Sequence, residues 1–412
     1  YYEEVCDEMA RGTHTLPSMA RQSTDHNAVA ADPAALPAGF GLVVLGRFVT
    51  NVAFRLVFPF LPRIAAGLGV SLTTIGSALA VRELAGAAAP MLGRSADRKG
   101  HVRAMVLGMG LLAVTMVLQG ASAGLLLFTV GLIIASLAKN LFDAGSAAWV
   151  GDAVHFAARG RAMGTVEMSW AAAFIIGMPI AALLIRASTW RTPFLVAAVL
   201  CATTAVTLHT RLPRVAKPHE TVPSMTWTPA IRAAVATITA IGIGHSQMLV
   251  TFASWLEDEH EVSVSGLGLT AVIIGVSELG GSGGSALWGD RIGLHRGLRT
   301  ALALSVPASA LIMVGATSLP VALALMVFYF VVVEFAVVAL LSLFSELDQI
   351  ARVAVMGWAF AGFTLGHAAG AVLGSQLYER SGMALNAVVM AGVFGVAFLI
   401  VATILNEPER SA

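Results

Sequence analysis

Apolar residues run along this chain in long blocks separated by short polar stretches. Each block is close to the roughly 20 residues that a helix needs to cross a bilayer. Twelve can be read: 39–62, 71–92, 104–121, 124–150, 162–185, 192–209, 230–255, 266–287, 299–317, 320–345, 353–378 and 383–405, numbered spans 1 to 12. Glycine, alanine and serine are dense inside them, as close helix packing in lipid requires. The pattern predicts an all-α integral membrane protein with 12 transmembrane helices.

The polar stretches set an orientation. With both termini on one side, the loops of that side collect Arg94, Arg98, Lys99, Arg103, Arg159, Arg161, Arg211, Arg214, Lys217, Arg291, Arg296, Arg299 and Arg352, whereas the opposite loops hold Arg63, Arg186, Arg191 and Arg380. The acidic run Glu257-Asp258-Glu259-His260-Glu261 falls on the poorer side. By the positive-inside rule this places the N- and C-termini in the cytoplasm of a multi-pass protein, here taken to lie in the plasma (inner) membrane. Residues 1–38 are polar, lack the apolar core of a signal peptide and read as a disordered cytoplasmic tail. Residues 406–412 form a second cytoplasmic tail. Four prolines and several basic residues mark 210–229 as a cytoplasmic linker, dividing a six-helix bundle at 39–209 from another at 230–405.

The two halves repeat one another. Gly93-Arg94-Ser95-Ala96-Asp97-Arg98-Lys99-Gly100, between spans 2 and 3, returns 193 residues on as Ala286-Leu287-Trp288-Gly289-Asp290-Arg291-Ile292-Gly293. Val81-Arg82-Glu83-Leu84 in span 2 echoes Val276-Ser277-Glu278-Leu279 in span 8. Arg159 with Met163-Gly164 at span 5 recurs as Arg352 with Met356-Gly357 at span 11. The expected architecture is two pseudo-symmetric six-helix bundles with a substrate path between them, a design that parallel transporter repeats share. Composition agrees: 57% of the 412 residues are hydrophobic and 12% charged, against roughly 25% charged in a soluble domain. A net charge of +1 without a basic face argues against a nucleic-acid partner. Two cysteines make neither a disulfide framework nor a metal site. Gly281-Ser282-Gly283-Gly284 follows no strand, so it is not a dinucleotide fingerprint. No Walker-type loop and no catalytic triad is readable, and neither an enzyme nor a cofactor is expected.

These motifs carry a family resemblance. Asp97, Arg98 and Gly100 resemble the span 2–3 signature of the major facilitator superfamily, with His101 and Val102 in place of two usual basic residues. The run Ala158-Arg159-Gly160-Arg161-Ala162-Met163-Gly164, following Asp152, is similar to that family's span 4–5 turn, and Gly177-Met178-Pro179 faintly resembles a motif of its drug/proton antiporters. The resemblance implies a monomeric twelve-span transporter working by alternating access. It implies a cytoplasmic gate at Gly93, Asp97, Arg98, Gly100, Arg103, Asp152, Arg159, Asp290, Arg291 and Arg352. In that gate Asp97 accepts N–H bonds from span 11, while Arg98 and Arg103 reach Asp152.

Ionisable residues inside spans are costly unless they are paired or face water. Arg47, Asn51 and Arg55 are spaced i, i+4, i+8 on span 1, within about 80° of one helix face. They form either a cationic rail for substrate or structural ion pairs. Span 2 places Arg82 beside Glu83; neighbouring helix positions point about 100° apart, so each is expected to find another partner. Glu83, Glu278 and Glu334 are candidates for proton exchange, or alternatively anchors of a polar core. Lys139 and Asp143 are expected to pair at i, i+4, Glu167 to snorkel, and His245 and His367 to line the path or serve as structural hydrogen-bonding groups. The reading favours proton-coupled efflux of a small amphiphilic molecule. The alternatives are a carrier of organic anions or metabolites that uses the span 1 arginines, and a membrane receptor that moves nothing.

Overall fold

The computed structural model describes residues 36–87, 100–213, 225–348 and 352–405, and the statements below concern those residues. The expected tail at 1–35 and 406–412, most of the linker, and the gate residues Gly93, Asp97 and Arg98 lie outside them.

All regular structure among the described residues is helical, and nine helices are long and apolar enough to cross a membrane. One of these, Arg352–Ile404, is two spans joined at Gly382, whose φ of 67° and ψ of −163° no continuing helix adopts. Spans 1 and 2 are the short ones. Span 1 runs as Phe40–Arg55, opens at 56–60 and resumes as Leu61–Leu68, rather than ending at residue 62. Proline explains both features: Pro59 brings no N–H to the opened turn, while Pro62 sits in a first helical turn, where no partner is needed. Span 2, Leu72–Gly86, then starts at 110° to that piece, with Ser71 Oγ capping Thr74 N–H. Together these helices make the twelve-span, two-bundle membrane fold.

Pro179 disturbs span 5 differently. The five residues before Met178, Ala173–Gly177, widen into a π turn, which takes up the missing donor without breaking the span. The repeat also survives in the backbone. Gly100 (φ 88°, ψ 139°) and Gly293 (φ 87°, ψ 135°) open spans 3 and 9 in the same positive-φ, extended conformation.

The bundles touch along two seams built on small residues. In span 8, a methyl at Gly268 would lie 2.6 Å from Ala182 Cβ of span 5, and one at Gly275 would lie 2.9 Å from the Ala171 carbonyl. In span 2, Gly76 meets Ser375 and Ala371 of span 11. These are the close approaches that glycine permits between membrane helices. Helix ends and the adjoining residue Glu261 bring Glu257, Asp258, Glu259, Glu261 and Glu379 to an acidic end of the molecule, and helix ends with Arg103, Arg159, Arg161 and Arg291 form a basic end.

Candidate functional site

At the seam, near mid-membrane, span 1 meets span 8 through Arg55 and Glu278. The guanidinium donates two bonds to the carboxylate, Nη2 to Oε1 at 2.6 Å and Nη1 to Oε2 at 2.8 Å. Neither side chain exceeds 2% exposure. Nη1 also reaches the Trp170 carbonyl at 3.1 Å, and the cation lies over the rings of Trp170 (4.2 Å) and Phe174 (3.4 Å). Two opposite charges in a fork geometry neutralise each other beneath aromatic faces. This pair joins the N-terminal bundle to the C-terminal one.

Arg82 and Glu83 pair with each other, contrary to the expectation that neighbours on a helix do not. Glu83 Oε1 accepts from Arg82 Nε at 3.0 Å and from Nη2 at 2.5 Å. The arginine side chain is long enough to curl around the helix, so Cβ directions do not decide the contact. Phe54 holds it in that curl, with its carbonyl at 3.2 Å from Nη1 and its ring at 4.0 Å.

A third group gathers on spans 1, 4 and 5. Asp143 contacts both Arg47 and Lys139, its i−4 neighbour. Arg47 also reaches Glu167, at a looser 3.5 Å. Exposure within the group is uneven: the side chains of Arg47 and Lys139 are 13% and 11% exposed, Asp143 21% and Glu167 60%. Glu167 is therefore open to solvent, while the bases stand behind the acids. Asn51 is completely buried and donates to Ser169 Oγ at 3.0 Å. Arg47, Asn51 and Arg55 thus each turn to span 5 or across it, as one helix face should.

Glu334 in span 10 accepts from Ser282 Oγ at 2.9 Å, and among the described residues no base is bonded to it. His245 and His367 find each other across spans 7 and 11, Nδ1 to Nε2, at 3.1 Å. Phe363 and Phe330 pack on His245. Only one of the two nitrogens can donate in that bond, so at most one ring is doubly protonated.

Two further contacts tie the bundles at the acidic end. Arg63 Nε donates to Glu257 at 3.0 Å. Glu379 of span 11 accepts from Thr73 N–H at 3.0 Å and from Thr73 Oγ1 at 2.5 Å, in the first turn of span 2. At the basic end, His101 bonds Asp152 at 2.9 Å, and the Arg103 side chain is exposed. Arg159 reaches the Val154 carbonyl at 3.5 Å and Arg291 is exposed. The side chains of Asp290 and Arg352 lie outside the described residues. No group of three potential metal ligands occurs among the described residues.

Residues 43–349 match the Major Facilitator Superfamily. The chain belongs to that superfamily. It is similar in structure to the human organic anion transporter MFSD10 (TETRAN), at 20% identity over 88% of this chain and 98% of that one, with a TM-score of 0.67. It is also similar to a bacterial homologue of the human lysosomal transporter Spinster, solved in an inward-facing and unoccupied conformation (13% identity, 90% and 98% coverage, TM-score 0.74). The nucleoside transporter NupG is a third (13%, 89% and 100%, 0.73). At such identities the likeness is one of fold. In sequence, an uncharacterised transporter of this superfamily from Bacillus subtilis strain 168, YwfA, is 23% identical over 153 residues, a match that spans 37% of that protein's own length.

Within this major facilitator chain, the sequence left several site residues unmarked. Trp170 and Phe174 cover Arg55 from 115 or more positions away, with no local signal. Phe54 and Phe58 flank Arg55 on span 1 and coat Arg82, a stripe readable as a partner for cations. Ser282, inside the glycine-rich run Gly281–Gly284, carries no local signal of its bond to Glu334.

Proposed function

We propose that this chain is a secondary active transporter that moves a small amphiphilic molecule by alternating access, coupled to protons and directed outward. In this reading it is a monomer in the plasma membrane with both termini cytoplasmic. Its bundles are 39–209 and 230–405, joined by the linker 210–229, and the substrate and proton path runs along Arg47, Asn51, Arg55, Arg82, Glu83, His245, Glu278, Glu334 and His367. Lys139, Asp143 and Glu167 flank it. Glu334 is the observation that carries the proposal. Every other mid-span carboxylate among the described residues holds a base: Glu83 has Arg82, Glu278 has Arg55, and Asp143 and Glu167 have Arg47. Glu334 has a serine hydroxyl. Its charge is the one left for a proton to cancel, and a proton exchanged there can be traded for substrate in the same cleft. The acidic-end ties lie on the face that the positive-inside orientation makes external, opposite the cytoplasmic face from which an exporter loads. Loading from the cytoplasm suits export.

The organic-anion alternative needs a free arginine on span 1, and both are engaged by carboxylates. A receptor that moves nothing has no use for a lone mid-span carboxylate. The test is flux in proteoliposomes under an imposed pH gradient, with substrates found by a counterflow screen. Glu334→Gln is expected to abolish gradient-driven accumulation while sparing downhill exchange. Unchanged accumulation in that variant overturns the assignment of Glu334, and no flux in the native protein overturns transport.

A further inference from the structure

The polarity of the cleft wall narrows the substrate, given the transport reading above. The bases of the site are the buried members of each contact: Arg55 at 0% side-chain exposure, Arg82 at 1%, Lys139 at 11%, Arg47 at 13%. The group most open to solvent is a carboxylate, Glu167, at 60%. Its one described ion-pair contact is also the loosest of the set, 3.5 Å to Arg47, against the 2.7–2.9 Å usual for a charged pair. Arg47 does not depend on it, because Asp143 holds the same guanidinium. Glu167 can therefore be taken by an incoming cation without stranding a buried arginine.

The surroundings repeat this preference. Trp170 lies one turn along from Glu167 on the same face of span 5, half-buried, with its ring already accepting a cation. Ser169, between them, takes the amide of Asn51 and leaves Asn51 Oδ1, fully buried, as an acceptor without a donor. Glu334 adds a carboxylate that, among the described residues, is bonded to a serine hydroxyl and to no base. Negative charge beside a half-buried aromatic ring is what this wall exposes; its unpaired donors, Arg47 Nε and Arg55 Nε, are buried.

We infer that the cleft selects amphiphilic organic cations, with Glu167 as the specificity-determining residue, Trp170 as the aromatic surface beside it, and Arg47 released onto Asp143 when the cation binds. An anionic amphiphile of the same size meets a carboxylate first and is rejected.

Tetraphenylphosphonium and tetraphenylborate have one shape and opposite charge. Equilibrium binding of each to the full chain in lipid nanodiscs, with empty nanodiscs subtracted, reads the preference directly. The phosphonium is expected to bind saturably and at least tenfold more tightly than the borate. Glu167→Gln should weaken phosphonium binding about tenfold and leave borate binding unchanged or stronger. Glu261→Gln, on the acidic-end surface, should change neither. Equal affinities, a preference for the borate, no saturable phosphonium binding, or a Glu167→Gln variant that binds like the native protein each overturns the inference. The native comparison needs no variant to fold. Binding needs no gradient either: a chain that prefers the phosphonium but moves nothing under a pH gradient loses the transport reading and keeps this one.

Discussion

The two halves of this chain carry the same mid-span glutamate and satisfy it in opposite ways. In the N-terminal bundle, Glu83 takes the arginine that precedes it on its own helix. In the C-terminal bundle the repeat substitutes Ser277 at that position, so Glu278 has no base on its own helix, and Arg55 reaches it from the other bundle, 223 residues away. A charge neutralised within one bundle survives any rigid movement of the bundles. A charge neutralised across the seam is lost when they part. The difference marks Arg82–Glu83 as a permanent polar core and, under the proposed alternating access, Arg55–Glu278 as a contact to be broken or carried along.

The largest effect should follow from breaking the seam contact on one side. Arg55→Ala leaves Glu278 buried without a base, a change that typically costs about 3–5 kcal/mol. The thermal unfolding midpoint of the purified protein is expected to fall sharply. Pairing it with Glu278→Ala should restore most of the loss, since neither charge then remains. The corresponding pair of variants at Arg82 and Glu83 should show the same rescue of stability. The two sites should separate in the spacing of the bundles, which only the Arg55–Glu278 double variant is expected to loosen at the acidic end. Rescue of stability with unchanged spacing would assign the seam pair to the core.

Much of this was readable in the chain itself. Lipid admits no ambiguity about long apolar blocks, so the twelve spans stood out, and Gly100 and Gly293 marked a repeat that the backbone repeats in its dihedral angles. Arg55 also announced its need: a guanidinium that deep must have a partner. The partner's identity was not announced, because helix-face arithmetic works within one span and Glu278 belongs to another bundle. The substitution of Ser277 for an arginine was in plain view as a gap in the repeat, yet it becomes informative only once each helix's neighbours are known. Helix-face arithmetic also misjudged Arg82 and Glu83, since it follows Cβ directions and ignores the reach of a long side chain. His245 and His367 looked solitary for a similar reason: each is the other's partner, on spans that the sequence does not order in space.

A smaller effect is expected from closing the gap in the repeat. Ser277→Arg would supply Glu278 with the local base that Glu83 already has, in competition with Arg55. The spacing between spin labels at Thr189 and Arg380, exposed at the acidic end on the two bundles, measures the outcome. The separated population should rise about tenfold, roughly 1.4 kcal/mol, with little change in the unfolding midpoint. If the label distances match those of the native protein, local and cross-bundle partners are not interchangeable and the contrast between the halves carries no mechanical meaning.

The smallest effect belongs to the acidic end, where the same bundles meet in water. Glu379 places its carboxylate on the first turn of span 2, bonded to Thr73 N–H and Oγ1. Glu379→Gln keeps an acceptor there and removes the charge. An anion at a helix N-terminus contributes typically 0.3–1 kcal/mol at an exposed site. The separated population measured with the same labels is therefore expected to rise by less than about fivefold. Salt sharpens the contrast further. At an ionic strength near 1 M, where charges are screened over roughly 3 Å, the native protein should drift toward the Glu379→Gln distribution. Arg55 and Glu278, shielded from solvent by Trp170 and Phe174, should be insensitive to that salt. A Glu379→Gln shift as large as that of Ser277→Arg would mean that the solvent-facing tie, and not the buried pair, holds the bundles together.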